Sequence, residues 1–119
     1  LQPCPTGANY RTEFGTVKDP DQFRALYAYS PYHHVSNGKA YPPILFMTGA
    51  NDPRVDPMQS RKMTARMQEA TGGKQIILLR TSSSSGHGIG SSLDEKIGEA
   101  TDVDAFLFDR LGVADHPVK

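Results

Sequence analysis

The chain of 119 residues has no tryptophan, one cysteine and no net charge, its 13 lysines and arginines matching 13 acids. Each scarcity excludes something. A lone Cys4 closes no internal disulfide, so it reads as an incidental thiol and leaves the redox compartment open. Without a cluster of basic residues the chain offers no positive face, which argues against nucleic acid or an anionic membrane as its main partner. The longest apolar runs, Ile44-Leu45-Phe46-Met47 and Ile76-Ile77-Leu78-Leu79, fall far short of the roughly 18 residues that a membrane span needs. No basic stretch followed by an apolar one stands at the start, so no signal peptide is visible. The chain opens on Leu1 instead of Met, from which we expect a piece of a longer protein. What is present is ordinary: 37% hydrophobic residues, the content of a globular chain, in a length that allows one domain at most.

The order of elements follows from punctuation and periodicity. Leu1 to Gly15 contains Pro3, Pro5, Gly7, Asn9 and Gly15 without a hydrophobic period and reads as irregular. Asp19 then caps a helix with Pro20 at its first position and Gln22 where a capping-box partner sits. Phe23, Leu26 and Tyr27 give that helix one apolar face, and Pro31 ends it at Ser30. After a connector to Tyr41, the apolar run Ile44 to Thr48 predicts a strand covered on both faces. Asp56 and Pro57 start a helix with a stripe of Met58, Met63, Met67 and Ala70. Arg61, Lys62, Arg66 and Glu69 face water, and Gly72-Gly73 supplies a left-handed stop. Gln75 to Leu79 predicts a second buried strand. Ser92 and Glu95 form a capping box for a long final helix whose buried face is Leu93, Ile97, Ala100, Val103, Leu107 and Leu111, ending at Gly112.

The resulting βαβ unit implies an α/β chain with parallel strands. A parallel sheet of two strands leaves backbone donors and acceptors unpaired at both edges. More strands are therefore expected from a missing upstream part of the same protein or from a second chain.

Chemistry concentrates at the ends of the two strands, where open α/β sheets build their sites. Adjacent parallel strands lie roughly 4.8 Å apart, so the loop after Ile44 to Thr48 and the loop after Gln75 to Leu79 bring Asp52 and His87 within reach of each other. A carboxylate beside an imidazole is the acid and base pair of a nucleophilic triad. Gly86 and Gly88 let the backbone bend around His87. The residues alone leave blander readings open: Asn51-Asp52-Pro53 is a common turn former, and a histidine between glycines serves as an ordinary loop residue. Gly86-x-Gly88-x-Gly90 lacks the dinucleotide spacing, with Ser91 at the last glycine position. Adjacent His33 and His34 point apart, and with His116 they complete no metal set, so neither a metal nor a cofactor is implied.

Taken together, Gly49-Ala50-Asn51-Asp52-Pro53-Arg54-Val55-Asp56-Pro57-Met58-Gln59-Ser60, Met67-Gln68 and Gly86-His87-Gly88 resemble the acid and histidine segments of the prolyl oligopeptidase family of serine peptidases. Glu13-Phe14-Gly15 and the stretch from Leu26 to Val35 resemble that family too, so the likeness runs from about Glu13 to Gly112. It implies a three-layer α/β-hydrolase fold of which residues 1–119 are a C-terminal portion, holding the last two parallel strands and flanking helices. By the same resemblance Asp52 matches the catalytic acid, His87 the catalytic base, and Arg54 the arginine that binds a backbone carbonyl of a peptide substrate. An exposed turn cation would look identical at Arg54. Pro53 departs from the pattern, since many relatives carry an acid there. The nucleophile is a larger departure: no Gly-x-Ser-x-Gly elbow occurs in these residues. Ser82 to Ser85 lack the strand, turn and helix around one. The expectation is therefore a serine peptidase cleaving short peptides after proline, with its serine upstream and this piece inactive alone. An esterase or exopeptidase on the same fold is the alternative, as is a non-catalytic α/β remnant serving as an assembly module.

Overall fold

The computed structural model describes residues 10–83, 86–87 and 91–113. The elements run α1 (Arg11–Phe14), α2 (Pro20–Tyr29), a 3-10 helix (Pro31–His34), β1 (Ile44–Gly49), α3 (Met58–Ala70), β2 (Ile77–Ser82) and α4 (Leu93–Leu111). β1 and β2 are parallel neighbours in register from Ile44 opposite Ile77 to Gly49 opposite Ser82.

Local chemistry explains where the helices start and stop. Asp19 Oδ1 accepts the N–H groups of Asp21 at 2.9 Å and Gln22 at 3.0 Å, which caps α2. Gln22 does not turn back to complete a capping box; its Oε1 accepts the N–H of Thr16 at 2.7 Å and ties the preceding loop to the helix. α1 is a single turn inside a stretch that reads as irregular, with the Tyr10 and Phe14 rings 6.1 Å apart. Asp56 Oδ1 accepts the Met58 N–H at 2.9 Å where α3 begins. At the far end of α4, Gly112 takes a φ of 66° and the Val113 N–H donates to Phe108 O at 2.9 Å. This is the left-handed helix stop that glycine favours.

Gly72-Gly73 is not such a stop, because among the described residues only Gly15, Gly38 and Gly112 have positive φ. α3 ends at an extended Thr71. Glycine is needed at 72 for a different reason: a Cβ there would stand 2.3 Å from the Gly38 carbonyl oxygen. The two chain segments are stitched at this crossing by Gly38 N–H to Ala70 O at 2.7 Å and Gly72 N–H to Lys39 O at 3.0 Å. Arg66, which the sequence puts in water, fastens the same connector through Nη1 to Asn37 Oδ1 and Nη2 to Val35 O, both 2.7 Å.

Side chains alternate across a strand, and the two faces of this sheet meet different helices. Ile44, Phe46 and Ile77 pack with Val35, Met63, Met67 and Ala70 on the α3 side. On the other side α4 approaches through polar groups. Arg80 Nε donates to Asp102 Oδ2 at 2.7 Å and Arg80 Nη1 lies 3.7 Å from Glu99 Oε2. The Ser82 hydroxyl donates to Glu95 Oε1.

The sheet thus has a helix on each face, but the second face is not closed. Leu78 is 42% exposed, and Leu93 and Leu111 of the expected buried face of α4 are 72% and 71% exposed. Between Leu78 and the Asp102, Phe106 and Asp109 side of α4 lies a gap instead of packed side chains. The radius of gyration is 17.6 Å, against about 13.5 Å for a compact domain of this length. Among the described residues the sheet consists of β1 and β2 alone, each with one unpaired edge.

Candidate active site

The site is built where β1 and β2 stop. One hydrogen bond continues their ladder, Ala50 N–H to Ser82 O at 2.7 Å. The chains then diverge, and the Asn51 side chain bridges the gap by donating from Nδ2 to Ser83 O at 2.9 Å. Asp52 follows at once, and the imidazole of His87 comes back over it from the other loop.

Asp52 divides its two oxygens between two tasks. Oδ1 accepts the backbone N–H groups of Arg54 at 2.8 Å and Val55 at 2.9 Å, which shapes the turn. Oδ2 lies 2.8 Å from His87 Nδ1. The turn contacts and the histidine contact of this residue are therefore made by different atoms. The Val55 N–H is the chief reason the carboxyl is held below its ordinary pKa of 3.8; burial opposes it, and the hydrogen bond from His87, the Arg54 N–H and the His87 charge add to it. An ionised carboxylate only accepts hydrogen bonds, so in the neutral ring it selects the tautomer with the proton on Nδ1 and the lone pair on Nε2. The Asp52 side chain is 10% exposed and that of His87 is 42% exposed. The acid is thus sheltered behind a ring that opens outward.

A cavity of about 740 Å³ begins at this pair and runs beneath α4, with Met47, Ser82, Lys96 and Val103 among its walls. Arg54 stands exposed on the same turn, two residues after Asp52. Glu95 reaches the foot of the His87 loop through Ser82, while its Oε2 is buried with no partner among the described residues.

Two further residues shape the site without being legible as such. Asn51 reads in sequence only as part of a turn former, and Glu95 only as a capping-box acid; its N–H is indeed capped by Ser92 Oγ at 3.2 Å. The signal that could have flagged Asn51 is its place two residues beyond the strand end, where a side chain can close the ladder.

The weaker constellations resolve differently. His33 Nδ1 pairs with Ser30 Oγ at 2.8 Å and His34 Nε2 with Ala28 O at 2.9 Å, both beside the Tyr27 ring. These are packing histidines. Cys4, Ser84, Ser85, Gly88, Gly90 and His116 lie outside the described residues.

Comparison with known proteins gives this geometry its context. Residues 6–114 match the model of the prolyl oligopeptidase family. A prolyl endopeptidase from Elizabethkingia meningoseptica is 33% identical over 108 residues, covering 90% of this chain and 15% of that protein. Dipeptidyl aminopeptidase BI from Pseudoxanthomonas mexicana is 32% identical over 110 residues, covering 92% of this chain and 15% of its own length. A solved structure from a study of two prolyl endopeptidases superposes with a TM-score of 0.85 at 39% identity, over 92% of this chain and 16% of that one. The chain thus spans about 15% of the length of the curated relatives it matches.

Proposed function

Because this chain belongs to the prolyl oligopeptidase family and carries a C-terminal portion of its α/β-hydrolase fold, we propose that it supplies the acid and base of a serine peptidase acting on short peptides after proline. The observation that carries the reading is the single 2.8 Å contact between His87 Nδ1 and Asp52 Oδ2, made by a carboxylate already fixed by two backbone N–H groups.

Chemically, a carboxylate anchored in this way selects one imidazole tautomer and stabilises the imidazolium. His87 Nε2 takes the proton of a serine hydroxyl as its oxygen attacks the peptide carbonyl carbon. It then returns that proton to the departing amine, leaving an acyl ester. Water repeats the cycle and releases the acid. Arg54 holds a carbonyl of the bound peptide through its guanidinium fork. No Gly-x-Ser-x-Gly elbow lies within these residues, so the serine comes from elsewhere in the complete protein. The bare edges of the sheet are completed by that upstream part or by a second chain.

An exopeptidase is the second reading, favoured by the likeness to a dipeptidyl aminopeptidase. Assaying the complete protein on internal proline amides, on dipeptidyl amides and on simple esters separates the possibilities. His87→Ala should lower turnover by about 10⁴-fold or more, and near-normal activity would refute the assigned base. Absence of covalent labelling by a fluorophosphonate would point to a non-catalytic assembly module.

A further inference from the structure

Asp52 and His87 sit on loops that part company just before the site, and among the described residues the parting is bridged by one side chain. The last paired residues are Gly49 and Ser82. Ala50 N–H still reaches Ser82 O at 2.7 Å, but the next contact between the loops is made by Asn51 Nδ2 to Ser83 O at 2.9 Å. Asn51 also meets the far part of the His87 loop: a Cβ built on Gly86 would stand 3.5 Å from the Asn51 carbonyl oxygen. The residue directly before the acid therefore bonds the histidine loop at Ser83 and passes close to it at Gly86.

We propose that Asn51 is a positioning residue whose side-chain amide stands in for the next rung of the β1–β2 ladder and fixes the His87 loop on the Asp52 loop. This deepens the reading of Asp52 and His87 as acid and base, and it rests on it. The physical need is plain. A ladder bond in that place would keep the backbones at strand spacing, whereas a side chain is longer and lets the loops splay while still being tied. On the other side of the same root, Ser82 is 5% exposed and held by Glu95, so Asn51 grips a fixed point. Without that grip, the ring would be oriented mainly by one hydrogen bond, and its side chain is 42% exposed. Water competes with such a bond. Small misplacements of a catalytic base lower the rate without weakening substrate binding.

The test uses the complete enzyme with Asn51→Ala and Asn51→Asp, and His87→Ala as the reference. Asn51→Asp keeps the shape but sets a carboxylate oxygen against the Ser83 carbonyl, so it should do more harm than alanine. We expect kcat to fall about 10-fold in Asn51→Ala and further in Asn51→Asp, with KM within about twofold. The low-field Nδ1 proton resonance of His87 should broaden in both. A merely structural role would lower the melting temperature and leave the kcat to KM split and this resonance alone. Wild-type kcat and an unaltered resonance in a folded Asn51→Asp, with His87→Ala inactive, would overturn the positioning role and leave the peptidase reading standing. An active His87→Ala would remove the reading itself. Should Asn51→Ala fail to fold, the folded Asn51→Asp decides by the same two measurements.

Discussion

The two faces of the β1–β2 sheet are built on opposite principles. Toward α3 the contacts are apolar and closed, with Met67 4%, Ala70 1% and Ile77 5% exposed. Toward α4 they are charged and open: Arg80 reaches Glu99 and Asp102, Ser82 reaches Glu95, and Leu93 and Leu111 of α4 are largely exposed. Apolar burial contributes roughly 25 cal/mol per Å², whereas exposed ion pairs contribute about 0–1 kcal/mol each. The α3 face is therefore the better held of the two, and the α4 face is oriented more than it is held. Asp52 and His87 lie on the rim where the two faces meet. The acid inherits its rigidity from β1 and its turn, while the root of the histidine loop at Ser82 is tied to the loosely covered helix through Glu95.

The largest consequence concerns the chain in isolation. Only four apolar residues, Val35, Met67, Ala70 and Ile77, form the described buried cluster, too few to support a cooperative fold against the entropy of ordering the chain. Expressed alone, the 119 residues should show no sharp monomeric melting transition by calorimetry and should bind a hydrophobic dye. A steep two-state transition from a monomer would break the comparison at its root.

In the complete protein the same contrast is tested by a pair of truncations. Met67→Ala should cost about 2–5 kcal/mol, the range for emptying a buried methionine site. Leu111→Ala should cost a comparable amount only if further chain covers α4. A change within about 0.5 kcal/mol, as for an exposed site, would mean that the open face is open in the complete protein too. Hydrogen exchange of the β1 and β2 amides and of α4 reads the two effects separately.

Much of this was legible in the sequence because local signals and tertiary demands agreed. The runs at Ile44 and Ile76 mark both strands, Asp19, Asp56 and Ser92 mark helix starts, and the spacing of Asp52 and His87 after parallel strands brings the pair together. Disagreements arise where a partner distant in sequence decides. β2 runs through Arg80, Thr81 and Ser82 because register with β1 requires a partner for Gly49, although polar residues there read as loop. Gly72 looks like a helix stop and is instead a backbone crossing, which only the approach of Gly38 reveals. The apolar stripe of α4 was readable as a surface to be buried, but among the described residues Leu93 and Leu111 stay largely exposed.

The smallest effect expected comes from the charge at the rim. The folded pKa of Asp52 lies below its ordinary 3.8, chiefly through the Val55 N–H, with the contact to His87 contributing. A carboxyl with a depressed folded pKa favours the folded state fully above its unfolded pKa, and that contribution fades as pH falls through the lower folded value. Asp52→Asn keeps the shape of the turn but removes the ionisation. Urea midpoints of the complete protein should thus lie slightly lower for Asp52→Asn than for wild type at neutral pH, and the two curves should converge as acidification passes below the lowered folded pKa of Asp52. A gap that widens toward acid would show that the carboxylate is strained by its surroundings instead of stabilised by them. The rim would then resemble the open face more than the closed one.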